Sequence, residues 1–172
     1  YGGVAAMNLL HNKSFVTVDI GGGSTEFCFV KDNTIIKSIS LNIGTVRIKE
    51  LFFNKNDIEG AKKYIIDNLK KIFKQNIEIP DTIVGIGGSI RSISKIIMQR
   101  NEYPLDILHG YKYKVSKEED FLLQIINAED NHELKALGIK KDRFDTIKEG
   151  TFILQTILDE LHISEVITSG VG

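Results

Sequence analysis

The run SFVTVDIGGGSTEFCFVK, residues 14 to 31, constrains the fold more than any other stretch of this chain. Residues 14 to 21 are apolar and β-branched enough for a buried strand, residues 25 to 31 repeat the pattern, and only glycines join them. Two strands so close in sequence must double back as an antiparallel hairpin. With Gly22 and Gly23 as a two-residue turn, Gly21 faces Ser24, Ile20 faces Thr25 and Asp19 faces Glu26. The two carboxylates then stand roughly 5 Å apart at Cβ, where like charges repel, so the pair calls for a cation, a shared proton or a bound water. A divalent ion such as Mg²⁺ is the simplest tenant, because that ion is commonly held by one or two carboxylates plus waters and phosphate oxygens. The glycines let backbone N–H groups turn toward an anion, and the hydroxyls of Ser24 and Thr25 can add donors. A plain tight turn between solvated strand ends would need neither three glycines nor opposed acids.

The rest of the chain reads as alternating elements. Asp32 and Asn33 are turn formers before a third strand, Thr34 to Leu41, which makes a three-stranded meander. GTVR, residues 44 to 47, opens a helix. From Ile58 the apolar period becomes 3.6, with Ile58, Ala61, Ile65, Leu69 and Ile72 on one stripe. Pro80 and Asp81 end that helix before the strand TIVGIG and a helix carrying Ile90, Ile93, Ile96 and Ile97. Residues 101 to 141 are less regular and read as an insertion, with a strand at Tyr111 to Val115 and a helix opening at Ser116 with Glu119 in capping-box position. A last helix, Asp145 to Leu161, leads into the strand EVITSG. This order predicts an α/β fold with helices packed on a mixed sheet, in the manner of a ribonuclease-H-like half-domain.

A second glycine loop, VGIGGSIRSI, places Gly87 and Gly88 at a strand end and Ser89 at the mouth of a helix. The first N–H groups of such a helix are unpaired and attract phosphate, and Arg91 can add a forked contact within the first turn. Arg47 is a secondary candidate for the same anion. His11, His109, His132 and His162 are too scattered for a local metal motif, Lys70, Lys71 and Lys74 read as a solvated helix face, and Cys28 reads as strand packing. No GxSxG, CxxC, HExxH or GxxxxGK[ST] pattern occurs, which sets aside several hydrolase and nucleotide-binding classes.

Bulk properties narrow the partners. A chain of 172 residues with 42% hydrophobic and 26% charged side chains fits one compact domain. The formal net charge of -1 gives no broad field for capturing duplex nucleic acid, so any anion site is local. No apolar run is long enough to span a membrane. A single cysteine excludes an internal disulfide and fits the cytoplasm.

DIGGGSTEF, then GTVR, GIGGSIRSI, RFDTIKEGTFIL and ITSGVG together resemble the exopolyphosphatase and guanosine pentaphosphate phosphohydrolase (Ppx/GppA) family across most of the chain. The resemblance implies the actin, sugar-kinase and heat-shock ATPase superfold, in which two ribonuclease-H-like domains close on a phosphate chain, and this chain matches the second of them. It implies that Asp19 and Glu26 bind the divalent cation and orient the attacking water. Gly21, Gly22, Gly23 and Ser24 would grip phosphate, with Gly87, Gly88 and Ser89 as the second loop. It further implies a general-base glutamate a few residues before YGGV, a second phosphate loop upstream, a helix beyond SGVG, and a homodimer of the full-length protein. The expected activity is removal of the terminal phosphate from inorganic polyphosphate or guanosine pentaphosphate. Two alternatives stay open at this point: a non-catalytic sensor of polyphosphate or a guanosine alarmone, and a kinase of the same superfold.

Overall fold

The computed structural model describes residues 14–104 and 107–170. Residues 1–13, which include His11, residues 105 and 106, and the last two residues lie outside them. Strands β1 (Phe15–Ile20), β2 (Thr25–Lys31) and β3 (Thr34–Leu41) form the expected meander, with Ile20 paired to Thr25 and Asp19 to Glu26. Asp32 and Asn33 turn the chain between β2 and β3 at φ of 50° and 62°, the left-handed conformation that short polar side chains tolerate best. Strand β4 (Thr82–Ile86) lies parallel to β1, and β6 (Glu165–Thr168) parallel to β4. Strand β5 (Lys112–Lys114) adds antiparallel to β6 and closes the order β3-β2-β1-β4-β6-β5. This is the mixed, helix-flanked sheet of a ribonuclease-H-like domain.

Helices α1 (Thr45–Leu51), α2 (Ile58–Phe73), α3 (Gly88–Arg100), α4 (Val115–Ile126), α5 (Asn131–Ala136) and α6 (Ile147–Glu160) complete the described elements. Every member of the α2 stripe is buried except Ile58, which sits in the first turn and is 46% exposed. The α3 isoleucines are all buried. Helix α4 begins one residue earlier than expected and uses no capping box. The chain runs straight out of β5, Val115 N–H donates to the Ser164 carbonyl, and Ser116 and Glu119 stay exposed. Helix α6 begins two residues later than the sequence suggested, after a 3₁₀ turn at Lys141–Arg143. Lys70 pairs with Asp67 at 3.2 Å on the solvated face of α2.

Two contacts fix the parts that carry the glycine loops. The first joins the hairpin tip to α1. Thr45 N–H donates to Gly21 O and Val46 and Arg47 N–H to Gly22 O, so the orphan donors of the helix are satisfied by the hairpin. Arg47 Nε adds a bond to Gly23 O at 3.1 Å. Such an approach is open only to a residue without a side chain at position 44, because a Cβ there would lie 2.2 Å from Gly22 O. The second contact centres on α6, which packs against α1, α2, α3 and α4. At Gly150 a Cβ would stand 2.5 Å from Ser89 Oγ, so α6 and α3 touch through glycine. Beside it Lys49 of α1 donates to the Asp145 carbonyl and lies 3.9 Å from Glu149 Oε1. Glu149 is 3% exposed and its Oε2 has no hydrogen-bond partner among the described residues. Burial pushes its carboxyl up from the ordinary 4.5, against the pull of Lys49.

Gly44→Ala is expected to destabilise the protein by about 1–3 kcal/mol, as overpacking does, whereas Gly23→Ala, whose Cβ would meet nothing within 4 Å, should leave stability near wild type in urea unfolding. For Glu149 the folded state binds its proton more tightly than the unfolded one. Its contribution therefore favours folding in acid and is lost as pH rises from the ordinary carboxyl value through the raised folded one. Glu149→Gln should flatten that decline in a pH series of unfolding midpoints.

Candidate functional site

Asp19, the penultimate residue of β1, is half-buried, with Glu26 of β2 directly opposite and Ile86 of β4 in register on its other side. The loop after β4 passes close by. Gly87 has φ +110°, and a Cβ there would meet Ile20 O at 3.1 Å and Asp19 Oδ1 at 3.4 Å, so both its backbone angle and its neighbours require glycine. Burial raises the Asp19 pKa first, Glu26 raises it further, and the Arg91 guanidinium pulls it back. The two glycine loops thus meet at one carboxylate.

Glu26 is exposed, and its Oε1 accepts from Ser24 Oγ at 2.8 Å and Ser40 Oγ at 3.1 Å. Its second oxygen carries no such bond among the described residues. Ser24, expected as a phosphate donor, therefore gives its hydroxyl to Glu26 here, while its amide stays at the tip. Ser40 was not singled out from the sequence, although the alternation of Ser38 and Ser40 with Ile39 and Leu41 carried the signal: it places Ser40 beside Glu26 once β2 and β3 are in register. Thr25 corrects the sequence reading. It is 0% exposed and its hydroxyl donates inward to Ile43 O at 2.6 Å, which ties β2 to the segment before α1. Strand alternation explains this, since Thr25 shares its face with core residue Phe27 and Glu26 does not.

At the tip, Gly21 N–H is spent on Ser24 O, whereas the amides of Gly22, Gly23 and Ser24 donate to no acceptor among the described residues. Because α1 occupies the carbonyls, the free groups of the tip are donors. At the second loop the N-cap of α3 is Gly87, not Ser89. Ser89 is buried against Gly150, so its hydroxyl does not reach a ligand, and the amides of Gly88 and Ser89 are what this helix start offers. Arg47, the secondary candidate, braces Gly23 instead.

Arg143 was missed by the sequence reading, although RFDTIKEG had been noted as a motif. Its guanidinium lies flat on Gly88, so that a Cβ at that glycine would sit 2.3 Å from Nη1. Arg91 and Arg143 thus flank the start of α3 and line a cavity of about 270 Å³. Among the described residues no group of three or more His, Cys, Asp or Glu side chains could hold a metal. His109 Nδ1 accepts from Gly170 N–H at 3.0 Å, and Cys28 accepts from Ser38 Oγ at 3.8 Å within the sheet. The arrangement as a whole presents two opposed carboxylates, unpaired amides from two loops and two guanidinium groups, which together suit a phosphate and a cation.

The chain is similar to several known proteins. It is 33% identical over 156 residues to a bifunctional 3-dehydroquinate synthase/phosphatase of Fusobacterium nucleatum, covering 85% of this chain and 23% of that protein. It is 24% identical to a putative exopolyphosphatase of Haemophilus influenzae, over 88% of this chain and 47% of the relative. To a guanosine-5'-triphosphate,3'-diphosphate pyrophosphatase of Pseudoalteromonas translucida it is 27% identical, over 99% of this chain and 34% of the relative. The chain therefore spans less than half the length of each of these relatives. Among solved structures, a PPX-GPPA enzyme of Aquifex aeolicus superposes with a TM-score of 0.80 at 26% identity, over 99% of this chain and 57% of the other. The model of the Ppx/GppA phosphatase family matches residues 1–172, and the chain belongs to that family.

Proposed function

We propose that this chain supplies the phosphate- and cation-holding part of a Mg²⁺-dependent phosphohydrolase that removes the terminal phosphate of inorganic polyphosphate or guanosine pentaphosphate. The observation that carries the reading is the pairing of Asp19 with Glu26 beneath a hairpin tip whose unpaired groups are all donors. The relatives named as exopolyphosphatase and guanosine pentaphosphate pyrophosphatase support the same two substrates.

The residues fit an ion of this kind. Two carboxylates face each other, Glu26 keeps one oxygen unbonded among the described residues, and the remaining positions would fall to water and phosphate oxygens, which is the mixed shell that Mg²⁺ accepts. When bound, the ion would neutralise phosphate charge and acidify a coordinated water. The amides of Gly22, Gly23 and Ser24 grip the terminal phosphate from one side, and those of Gly88 and Ser89 from the other. Donors fixed in advance stabilise charge as it develops on the phosphoryl oxygens. Arg91 neutralises charge near the scissile bond and opposes the rise in the Asp19 pKa that burial and Glu26 cause. Ser24 and Ser40 hold the Glu26 carboxylate by its Oε1, which leaves the other oxygen available to an ion or a water shared with Asp19. No helix among the described residues is long and apolar enough to cross a membrane, and a cytoplasmic site of action goes with this reading.

Asp19→Asn and Glu26→Gln, made in the protein as the cell produces it, should each lower kcat for phosphate release by roughly 10²-fold or more, and a near wild-type rate in both would sink the assignment. Chelation should abolish turnover and added Mg²⁺ restore it, with a weaker Mg²⁺ requirement curve in Asp19→Asn. Arg91→Ala removes the charge that opposes the raised Asp19 pKa, so the acid limb of the pH–rate profile should move to higher pH.

A further inference from the structure

The hairpin tip is carried by α1. Three amides at the start of that helix bond the Gly21 and Gly22 carbonyls, and Lys49, four residues after Thr45, lies on the same helix face one turn further on. Both residues meet α6. A Cβ at Gly150 would stand 3.5 Å from Thr45 Cγ2, while Lys49 donates to the Asp145 carbonyl and lies 3.9 Å from Glu149 Oε1. The same glycine faces Ser89 in the first turn of α3, whose backbone leads back into Gly88 and Gly87. A continuous line of contacts therefore runs from the tip amides through α1, Lys49, Glu149 and Gly150 to the second loop.

The start of α6 is not fixed by a cap of its own, since Thr146 at the N-cap makes no side-chain bond. Lys49 holds it on the α1 side, and Lys148 donates to the Ala128 carbonyl on the other. Glu149, in that first turn, is buried with no hydrogen-bond partner for its Oε2 among the described residues. For stability alone this is a poor choice, because replacing a buried ion pair by well-packed apolar side chains is often neutral or stabilising. What an apolar contact lacks is direction. It is satisfied over a range of slides and rotations, whereas an ammonium shared between one carbonyl and one carboxylate is satisfied at few.

We propose that Lys49 and Glu149 are a positioning pair that sets the distance between the two glycine loops, so that the amides of both close on one phosphate in the transition state. This rests on the hydrolysis proposed above and adds to it two residues that touch neither phosphate nor ion. The approach of Gly87 to Ile20 O fixes the second loop against the end of β1, but the tip begins beyond Ile20 and is set through α1. A displacement of about 1 Å at the tip can lower the rate on the order of 10²-fold, while each loop remains free to bind phosphate in the ground state. The signature of the pair is a loss in kcat with KM little changed.

The test compares wild type, Lys49→Met, Glu149→Leu and the double variant in the protein as the cell produces it. Its readings are phosphate release from tripolyphosphate and from guanosine pentaphosphate, urea unfolding, and the amide resonances of ¹⁵N-labelled glycine. The double variant should unfold at the wild-type urea midpoint or above it, yet lose about tenfold or more in kcat with KM within about twofold. Each single variant should lose about as much as the double, and the signals of Gly22, Gly23 and Gly88 should all move. A folded double variant with wild-type kcat overturns the pair, and so do single losses that add. Should the double variant not fold, Lys49→Met carries the same kcat, KM and resonance readings, because that side chain is 34% exposed. If the wild type releases no phosphate from either substrate, the hydrolysis falls, and the glycine signals decide the rest: movement at both loops upholds the brace and stillness overturns it.

Discussion

The site depends on three backbone hydrogen bonds between the hairpin tip and the start of α1. A glycine turn left alone presents carbonyls and amides in about equal measure and has no reason to prefer an anion. Here the N–H groups of Thr45, Val46 and Arg47 take the Gly21 and Gly22 carbonyls, and what is left unpaired at the tip is a set of donors. The same bonds satisfy the helix, which is seven residues long and has no side-chain cap. Each element therefore completes the other, and Gly44 is the position at which their backbones come close enough to do so.

Helix α6 extends this logic to the second loop. It presses on α1 through Lys49 and Glu149 and on α3 through Gly150 and Ser89, so the two glycine loops are braced by one helix. A buried carboxyl with an unsatisfied oxygen is costly, and it sits where the three helices meet. This junction adds to the direct approach of Gly87 to Ile20 O, while the hairpin tip itself is exposed glycine.

Local chemistry made much of this legible in the sequence. The hairpin register followed from strand period and a two-residue turn, and it placed Asp19 against Glu26 correctly. The helices followed from apolar spacing, and the buried α2 stripe failed only at Ile58, where a first-turn side chain projects past the core. What stayed hidden depended on contacts between distant segments. Thr25 and Ser89 have the right composition for phosphate ligands, yet one is drawn into the core face and the other under α6. Arg143 is 55 positions from Gly88, a separation that no local pattern bridges. The α4 start lies one residue before Ser116 because the helix follows directly on β5, with the Val115 amide bonded to the Ser164 carbonyl.

The contact between Ser89 and Gly150 has a consequence beyond packing. One small volume is divided between a side chain on α3 and the absence of one on α6, and the total is fixed by the distance between two helices that each support a loop. A relative that enlarges position 150 must shrink position 89 or move the second loop away from Asp19. These two positions are therefore not free to drift separately, and the spacing of the loops can be read, across related chains, in the summed size of that pair.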